Sequence, residues 1–268
     1  MELLDFLRYG FIQRALIAGS FIAILCSTLG AFLVLRRFSL IGDGLAHATF
    51  GSVALALLLR MSPLYVSLPI VLLCSLGILR LTEKARIYGD AAIGIVSSLG
   101  VATGILLSSL AGGFNVDLFG YLFGSILSIS ETEVIISAVL SVLVIFAIIL
   151  FYHDLLSITF DEESAKASGI NTKRINTIFV LLTAVTVVLS MKVVGIMLIS
   201  ALLIFPSVTA LQVAKSFKAV MIVASLAAII SVITGVVVSF FLDLPTGATI
   251  VMINFFLFAA ALIVRKIS

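Results

Sequence analysis

Residues 11–35 read FIQRALIAGSFIAILCSTLGAFLVL, and this apolar run indicates the fold class. A helix needs about 20 consecutive apolar residues to cross a hydrocarbon core about 30 Å thick, and the run is long enough. Its charged residue, Arg14, lies near the start. Because lipid offers backbone groups no hydrogen-bonding partner, the run is predicted to form a transmembrane helix. Its length and Arg14 argue against a cleaved signal peptide.

Further apolar runs of the same kind follow along the chain. Together with the first run they predict an all-α polytopic membrane protein, a bundle of about eight or nine transmembrane helices. Gly100 and Gly104, which share one run, would allow close contact with a neighbouring helix, although incidental composition accounts for such a pair equally simply. The further runs are Leu45–Leu59, Pro63–Leu79, Ala91–Ala111, Val134–Phe151, Ile175–Ser190, Val193–Leu211, Ala219–Leu242 and Ala248–Val264.

The composition supports a membrane protein. The chain has 268 residues, of which 62% are hydrophobic and 11% are charged. A soluble domain is about half apolar and about a quarter charged, so it would have more polar surface than this chain can supply. The net charge of +3 is too small to argue for nucleic acid. Cys26 and Cys74 both lie in apolar runs, so no disulfide framework is indicated.

Basic residues predict the orientation, because Lys and Arg accumulate in cytoplasmic connections. Alternate connections between the runs carry basic clusters, whereas Gly112–Glu133 and Asp243–Gly247 carry none. This pattern predicts an N-terminus outside and a C-terminus in the cytoplasm, although Arg60 and Lys192 fall on the opposite side. The clusters are Arg36–Arg37; Arg80, Lys84 and Arg86; Lys173–Arg174; Lys215 and Lys218; and Arg265–Lys266.

The start of the second run, IGDGLAHATFG at positions 41–51, carries two ionisable residues. Asp43 and His47 are four residues apart, which places them on one helical face with Cβ atoms about 5–6 Å apart. An ionisable residue in a membrane span costs free energy, so its presence there indicates a functional site. Carboxylate and imidazole groups are both zinc ligands. In a structural alternative, Asp43 caps the helix and His47 is a hydrogen-bonded interior residue. Small flanking residues are expected to leave room for a solute: Gly42, Gly44, Ala46 and Ala48.

The number of candidate ligands limits the kind of metal site. A structural zinc site usually has four protein ligands, but the chain has only 2 histidines. His153 is interpreted as a solvated loop residue, and the two cysteines as small hydrophobes. A pair of ligands suits transient handling of a moving ion, and two copies in a homodimer could bring two pairs together.

The long polar stretch, Tyr152–Arg174, is predicted to contain a short helix on the cytoplasmic side. Positions 159–171 read TFDEESAKASGIN, where acidic residues, a later Lys166 and then Gly169 are typical of a capped helix. Such a helix is suited to receiving force from a soluble motor, although a solvated linker helix would carry the same features. The sequence has no G-x-x-x-x-G-K-[ST] motif, so a partner chain must hydrolyse any ATP.

Several stretches, in the order in which they occur, carry a family resemblance. They are Phe11–Leu16, Leu35–Arg37 with Gly42–His47, Asp90–Ile95, Asp117–Gly124, Phe160–Gly169, Val194–Pro206 and Asp243–Gly247. In these stretches the chain resembles the permease subunit of bacterial ABC importers for zinc, manganese and related divalent metals. One departure is Pro206-Ser207-Val208, where family members often have Pro-Ala-Ala or Pro-Ala-Ser.

The resemblance implies one permease domain over residues 1–268, with a cytoplasmic coupling loop at about 152–174. It implies a compact bundle similar to the vitamin-B12-type importer permeases, working as a homodimer in the bacterial cytoplasmic membrane. A cytosolic ATP-binding subunit and an extracytoplasmic metal-binding protein would be its partners. The permease is then not an enzyme and binds no permanent cofactor; the divalent metal is its substrate. The metal ligands map onto Asp43 and His47, and the ATPase-coupling residues are Asp161, Glu162, Glu163, Ala165, Ala167 and Gly169.

Two other classes of function remain as alternatives. A membrane-embedded metallohydrolase would need further ligands and a general base, such as an H-E-x-x-H motif, and the sequence has none. An ion-coupled secondary transporter would carry several carboxylates within its spans, which here are nearly free of them apart from Asp43. Carboxylate and imidazole also accept manganese and iron. Zinc is favoured because Met191–Gly195 looks more like zinc-type members.

Overall fold

The structure, a computed structural model, describes residues 8–113, 116–124, 130–191, 195–196 and 199–267. Within these ranges the chain forms helices and no strands. The helices are α1 Gly10–Leu35, α2 Ile41–Leu58, α3 Pro63–Glu83, α4 Gly89–Leu110, α5 Val116–Phe123, α6 Glu131–Leu150, α7 Tyr152–Phe160, α8 Glu162–Ala167, α9 Thr172–Ser190, α10 Ile199–Val213, α11 Phe217–Leu242 and α12 Thr246–Ile267.

The described part of the chain has 8 helices long and apolar enough to cross a membrane. They are α1, α2, α3, α4, α6, α9, α11 and α12, while α10 is apolar but shorter, at 15 residues. The predictions of an all-α protein and of about eight or nine spans are confirmed. The predicted span Val193–Leu211 begins partly among residues outside the described ranges, and its helix is described from Ile199.

One compact unit comprises residues 32–118 and 143–189. In it, α2 packs against α3 and α4. The approach of α2 to α4 depends on glycine: a Cβ added to Gly51 would lie 2.7 Å from the carbonyl oxygen of Gly100, and one added to Gly104 would meet the ring of Phe50. Gly100 and Gly104 therefore lie in close helix contact, and the alternative of incidental composition is wrong for this pair.

The second compact unit comprises residues 1–31, 119–142 and 190–268. Here α10, α11 and α12 pack against one another. Gly30 lies against the Leu203 carbonyl of α10, and a Cβ on Gly30 would come 2.6 Å from the Ser207 hydroxyl. The hydroxyls of Ser27 and Ser225 lie 3.1 Å apart, joining α1 to α11 by a hydrogen bond. Small residues and shared hydroxyls thus bring helices together where lipid supplies no hydrophobic driving force.

The polar stretch 152–174 is more helical than the sequence indicated. Besides the predicted short helix, now α8, it contains α7, and α9 already begins at Thr172. The helix α7 does not form a long apolar run in the sequence, because it is short and carries His153 and Asp154. Its stability comes instead from one buried stripe, Leu155 and Ile158, spaced by one helical turn.

Candidate functional site

Asp43 and His47 lie on one face of α2, one turn apart. The Nε2 atom of His47 is 3.6 Å from Oδ2 of Asp43. The Asp43 side chain is 49% exposed and that of His47 is 23% exposed, so the pair is accessible from one side. Leu40 occupies the N-cap position and Asp43 is the third helical residue, so the alternative in which Asp43 is the N-cap is wrong. The sequence prediction that the two side chains share a face is confirmed.

The His47 imidazole has one ring nitrogen toward Asp43 and the other toward the protein interior. Among the described residues, its buried Nδ1 has no hydrogen-bond partner. A buried polar atom left unpaired costs about 1–3 kcal/mol, and a metal bound at Nε2 would leave Nδ1 unpaired as well, so this atom does not distinguish a structural histidine from a ligand. With the proton on Nδ1, Nε2 offers its lone pair on the side of Asp43. Carboxylate oxygen and imidazole nitrogen then present two donor atoms to one cation.

The small residues around the pair serve packing as well as space. A Cβ added to Gly44 would lie 2.6 Å from Cγ2 of Ile93 on α4, so the expectation of free room is wrong at Gly44. One turn beyond His47, α2, α3 and α4 enclose an apolar cavity of about 230 Å³. Ala48, Gly51 and Gly100 form part of its wall. Small residues thus bring α4 close to α2 beside the Asp43–His47 pair, and the open volume lies one turn further along α2.

The pair is isolated from other potential ligands. Within the described ranges, no group of three or more His, Cys, Asp or Glu side chains could hold a metal ion. His153 is exposed, as predicted, but it lies in the helix α7 and not in a loop, and its ring lies 5.4 Å from that of Tyr152. One chain therefore offers a cation two side-chain ligands here, fewer than the four of a structural zinc site.

The short helix α8 has the capped ends that the sequence predicted. Asp161 is the N-cap, and its Oδ1 accepts hydrogen bonds from the backbone N–H groups of Glu163 and Ser164, both at 3.1 Å. Gly169 follows the helix with φ +86°, a left-handed conformation that suits glycine. Lys166 donates a hydrogen bond to Glu163 at 2.8 Å, and this bond raises the pKa of the lysine.

The predicted coupling residues lie on different faces of α8. Ala165 is buried at 3% exposure, whereas Glu162 is half-buried, with its side chain 43% exposed. Glu163 and Ala167 are exposed, as are the flanking Asp161 and Gly169. The exposed set can meet a partner, whereas Ala165 can act only on the packing of α8 against its own chain.

Sequence reasoning missed a polar network beneath α8. The Arg36 guanidinium donates a hydrogen bond to Oδ1 of Asn176 and lies 5.1 Å from the centre of the Phe179 ring. Asn176 in turn donates to Oε1 of Glu162 at 3.5 Å. Burial lowers the pKa of Arg36, and the charge of Glu162 acts in the opposite direction. The available signals were Arg36 at the end of a span and an amide, Asn176, inside an apolar run.

Curated relatives match nearly the whole chain. It is 34% identical over 255 residues to the manganese transport system membrane protein MntC of Halalkalibacterium halodurans, covering 95% of this chain and 87% of that protein. It is 36% identical over 265 residues to a probable iron transport system membrane protein of Haemophilus influenzae, covering 99% and 97%. It is 32% identical over 252 residues to the zinc uptake system membrane protein ZnuB of the same organism, covering 94% and 97%.

A solved structure has the same fold. The PsaBC complex of Streptococcus pneumoniae, determined with an antibody Fab fragment, superposes with a TM-score of 0.83 at 31% identity, covering 96% of this chain and 93% of that one. The predicted resemblance and multi-pass bacterial inner-membrane location are confirmed by these relatives and by the apolar helices. Residues 8–265 match one family throughout, and the chain therefore belongs to the ABC 3 transport family.

Proposed function

We propose that the chain is the membrane permease subunit of an ABC importer that moves a divalent transition metal into the cytoplasm. The observation that carries the proposal is the Asp43–His47 pair, with donor atoms 3.6 Å apart on one face of a membrane helix. Relatives of similar identity are named for manganese, iron and zinc transport. Metal is the cargo these two donors suit, because both bind divalent transition metals.

Zinc is the metal we propose first, with manganese and iron as the alternatives. The preference rests on the likeness of Met191–Gly195 to zinc-type members, and residues 192–194 of that segment lie outside the described ranges. The donor set itself accepts all three metals, since affinity alone does not determine selectivity. Relatives named for different metals at similar identity favour none of them.

The proposed partners follow from what the chain supplies and what it leaves out. A cytosolic ATP-binding subunit would drive transport, because the sequence has no phosphate-binding loop. It would dock on the exposed face of α8, around Glu163 and Ala167. An extracytoplasmic metal-binding protein would deliver the ion. A homodimer of chains, each acting as one permease domain over residues 1–268, could bring two Asp43–His47 pairs to one ion path.

Reconstitution tests this proposal. The chain, its ATP-binding subunit and its metal-binding protein are placed in liposomes, and uptake of radioactive zinc and of manganese is measured with and without ATP. Uptake should require ATP and both partners, and zinc should outcompete manganese. Uptake driven by a proton or sodium gradient without ATP would contradict the proposal and support the ion-coupled transporter. Equal or better uptake of manganese would overturn the zinc preference alone.

A further inference from the structure

Arg36 is a half-buried cation in the five-residue connection between α1 and α2. A charge removed from water is costly unless it is paired and hydrogen-bonded. Here the guanidinium has two partners, the Asn176 amide and the face of the Phe179 ring, both on α9. A guanidinium that lies over an aromatic ring while it donates a directed hydrogen bond is not reproduced by the ammonium group of lysine.

The network reaches α8 through Asn176. This amide accepts from Arg36 through Oδ1 and donates through Nδ2 to Glu162, the first residue of α8. Lys166, one turn later, lies 3.6 Å from the same Oε1 atom of Glu162. Glu162 and Asn176 also line a cavity of about 390 Å³ that contains Arg36 and Phe179 in its wall. The inner face of α8 is thus tied to α9 and to the end of α1 by polar contacts.

The connection that contains Arg36 leads directly into α2, the helix that carries Asp43 and His47. Its connection is closed by hydrogen bonds from Phe38 N–H to the Leu33 carbonyl at 2.9 Å and from Ile41 N–H to the Phe38 carbonyl at 3.2 Å. Ile41 begins α2, and Asp43 is its third residue. The Phe38 ring lies against Gly89, the first residue of α4, so that a Cβ there would be 3.0 Å from Cε2. A shift of Arg36 would therefore be passed to the start of both helices.

We propose that Arg36 is a positioning residue that links α8 to the start of α2, so that movement of α8 reaches the Asp43–His47 pair. The inference rests on the proposed function, in which α8 receives the ATPase stroke. Coupling between distant sites needs rigid elements joined by contiguous contacts, and the Glu162–Asn176–Arg36 path supplies them within one compact unit. Removing the guanidinium should leave α8 and the start of α2 in place but weaken the contact path between them.

The test uses the complete transporter in liposomes, with metal ions moved per ATP hydrolysed as the readout. Arg36→Gln and Glu162→Gln should each lower this ratio by about fivefold or more, the scale of a typical coupling free energy. The double variant should be no worse than the poorer single variant, because both changes break one path. The matched control is Arg37→Gln, a change at the exposed neighbouring arginine, which should keep the wild-type ratio.

Several outcomes would overturn the proposal. A wild-type ratio in Arg36→Gln contradicts it, and so does a double variant whose loss is the product of the two single losses. If Arg36→Gln does not accumulate in membranes, Arg36→Lys is measured instead. Lysine keeps the positive charge but lacks the guanidinium group. Full coupling in Arg36→Lys would also contradict the proposal. Ala167→Arg distinguishes failure of the proposed function from failure of the Arg36 link. If Ala167→Arg couples normally, α8 does not receive the ATPase stroke. If Ala167→Arg is uncoupled while the Arg36 variants couple normally, α8 keeps its role and only the proposed link through Arg36 is wrong.

Discussion

The backbone carbonyl oxygen of His47 lies directly against the α-carbon of Gly100, where α2 packs on α4. A Cβ added to Gly100 would meet that oxygen and would lie 2.7 Å from the α-carbon of Ala48. These neighbours are backbone atoms and cannot rotate away. Gly100→Ala should therefore push α4 away from α2 and cost about 1–3 kcal/mol of stability, as overpacking does. Thermal unfolding of the purified permease in detergent measures the loss.

Gly94 on the same helix is the matched control for this prediction. No described residue places an atom within 4 Å of a Cβ added there. Gly94→Ala should leave stability unchanged or raise it, because alanine favours a helix over glycine by about 1 kcal/mol. Equal melting temperatures for Gly100→Ala and the wild type would show that the two helices can separate at no cost.

Asp43→Asn and His47→Gln should each abolish metal uptake while sparing membrane abundance and assembly with the ATPase. Asparagine keeps shape but removes the charge that offsets dehydration of a divalent cation, and glutamine lacks the imidazole nitrogen. Uptake of radioactive zinc is measured per molecule of permease. Normal uptake per molecule in both variants would contradict the assignment of Asp43 and His47 as metal ligands.

Two exposed residues of the same types serve as controls for the metal pair. Asp90 lies in the first turn of α4, as Asp43 does in α2, and His153 lies in the first turn of α7. Asp90→Asn and His153→Gln should transport normally. Reduced protein level with normal uptake per molecule in the Asp43 and His47 variants would instead indicate a structural role.

The two alanines of α8 should behave differently. Ala167 is exposed, so Ala167→Arg should leave folding intact and uncouple ATP hydrolysis from uptake by obstructing the docking surface. Ala165 is buried, so Ala165→Arg should displace α8 and lower the amount of permease in the membrane. Abundance, ATPase binding and uptake are measured for each variant.

Ala85, exposed between α3 and α4, is the control alanine for this pair. Ala85→Arg adds the same charge outside α8 and should leave coupling normal. If Ala167→Arg transports at the normal rate with the ATPase bound, α8 does not couple the two proteins.

Cysteine labelling should establish the orientation. Ala111 ends α4 beside the connection predicted to lie outside, and Ala85 lies beside the basic residues predicted to be inside. Ala111→Cys should react with a membrane-impermeant thiol reagent in intact cells, and Ala85→Cys should react only after permeabilisation. The reverse pattern would move α8 to the outer face and away from any cytosolic ATPase.

Local patterns in the sequence were sufficient for the membrane class, most of the spans, the pairing of Asp43 with His47 and the caps of α8. Each of these depends on residues within one helix or at its ends. Run length is set by membrane thickness, a four-residue spacing by the helical repeat, and capping by the backbone groups that helix ends leave unpaired. None of them requires knowledge of which helices are neighbours.

Packing between distant segments determined the remaining features, namely the Arg36 contacts, the two faces of α8 and the helix α7. Arg36 and Asn176 are separated by 140 positions, and only the folded chain brings the guanidinium to that amide. The burial of Ala165 and exposure of Ala167, and the helix α7 held by Leu155 and Ile158, likewise depend on what lies beside them. In a chain this apolar, hydrophobicity does not distinguish a lipid-facing side from a buried one. Steric fit and paired polar groups make that distinction, and both are properties of the tertiary structure.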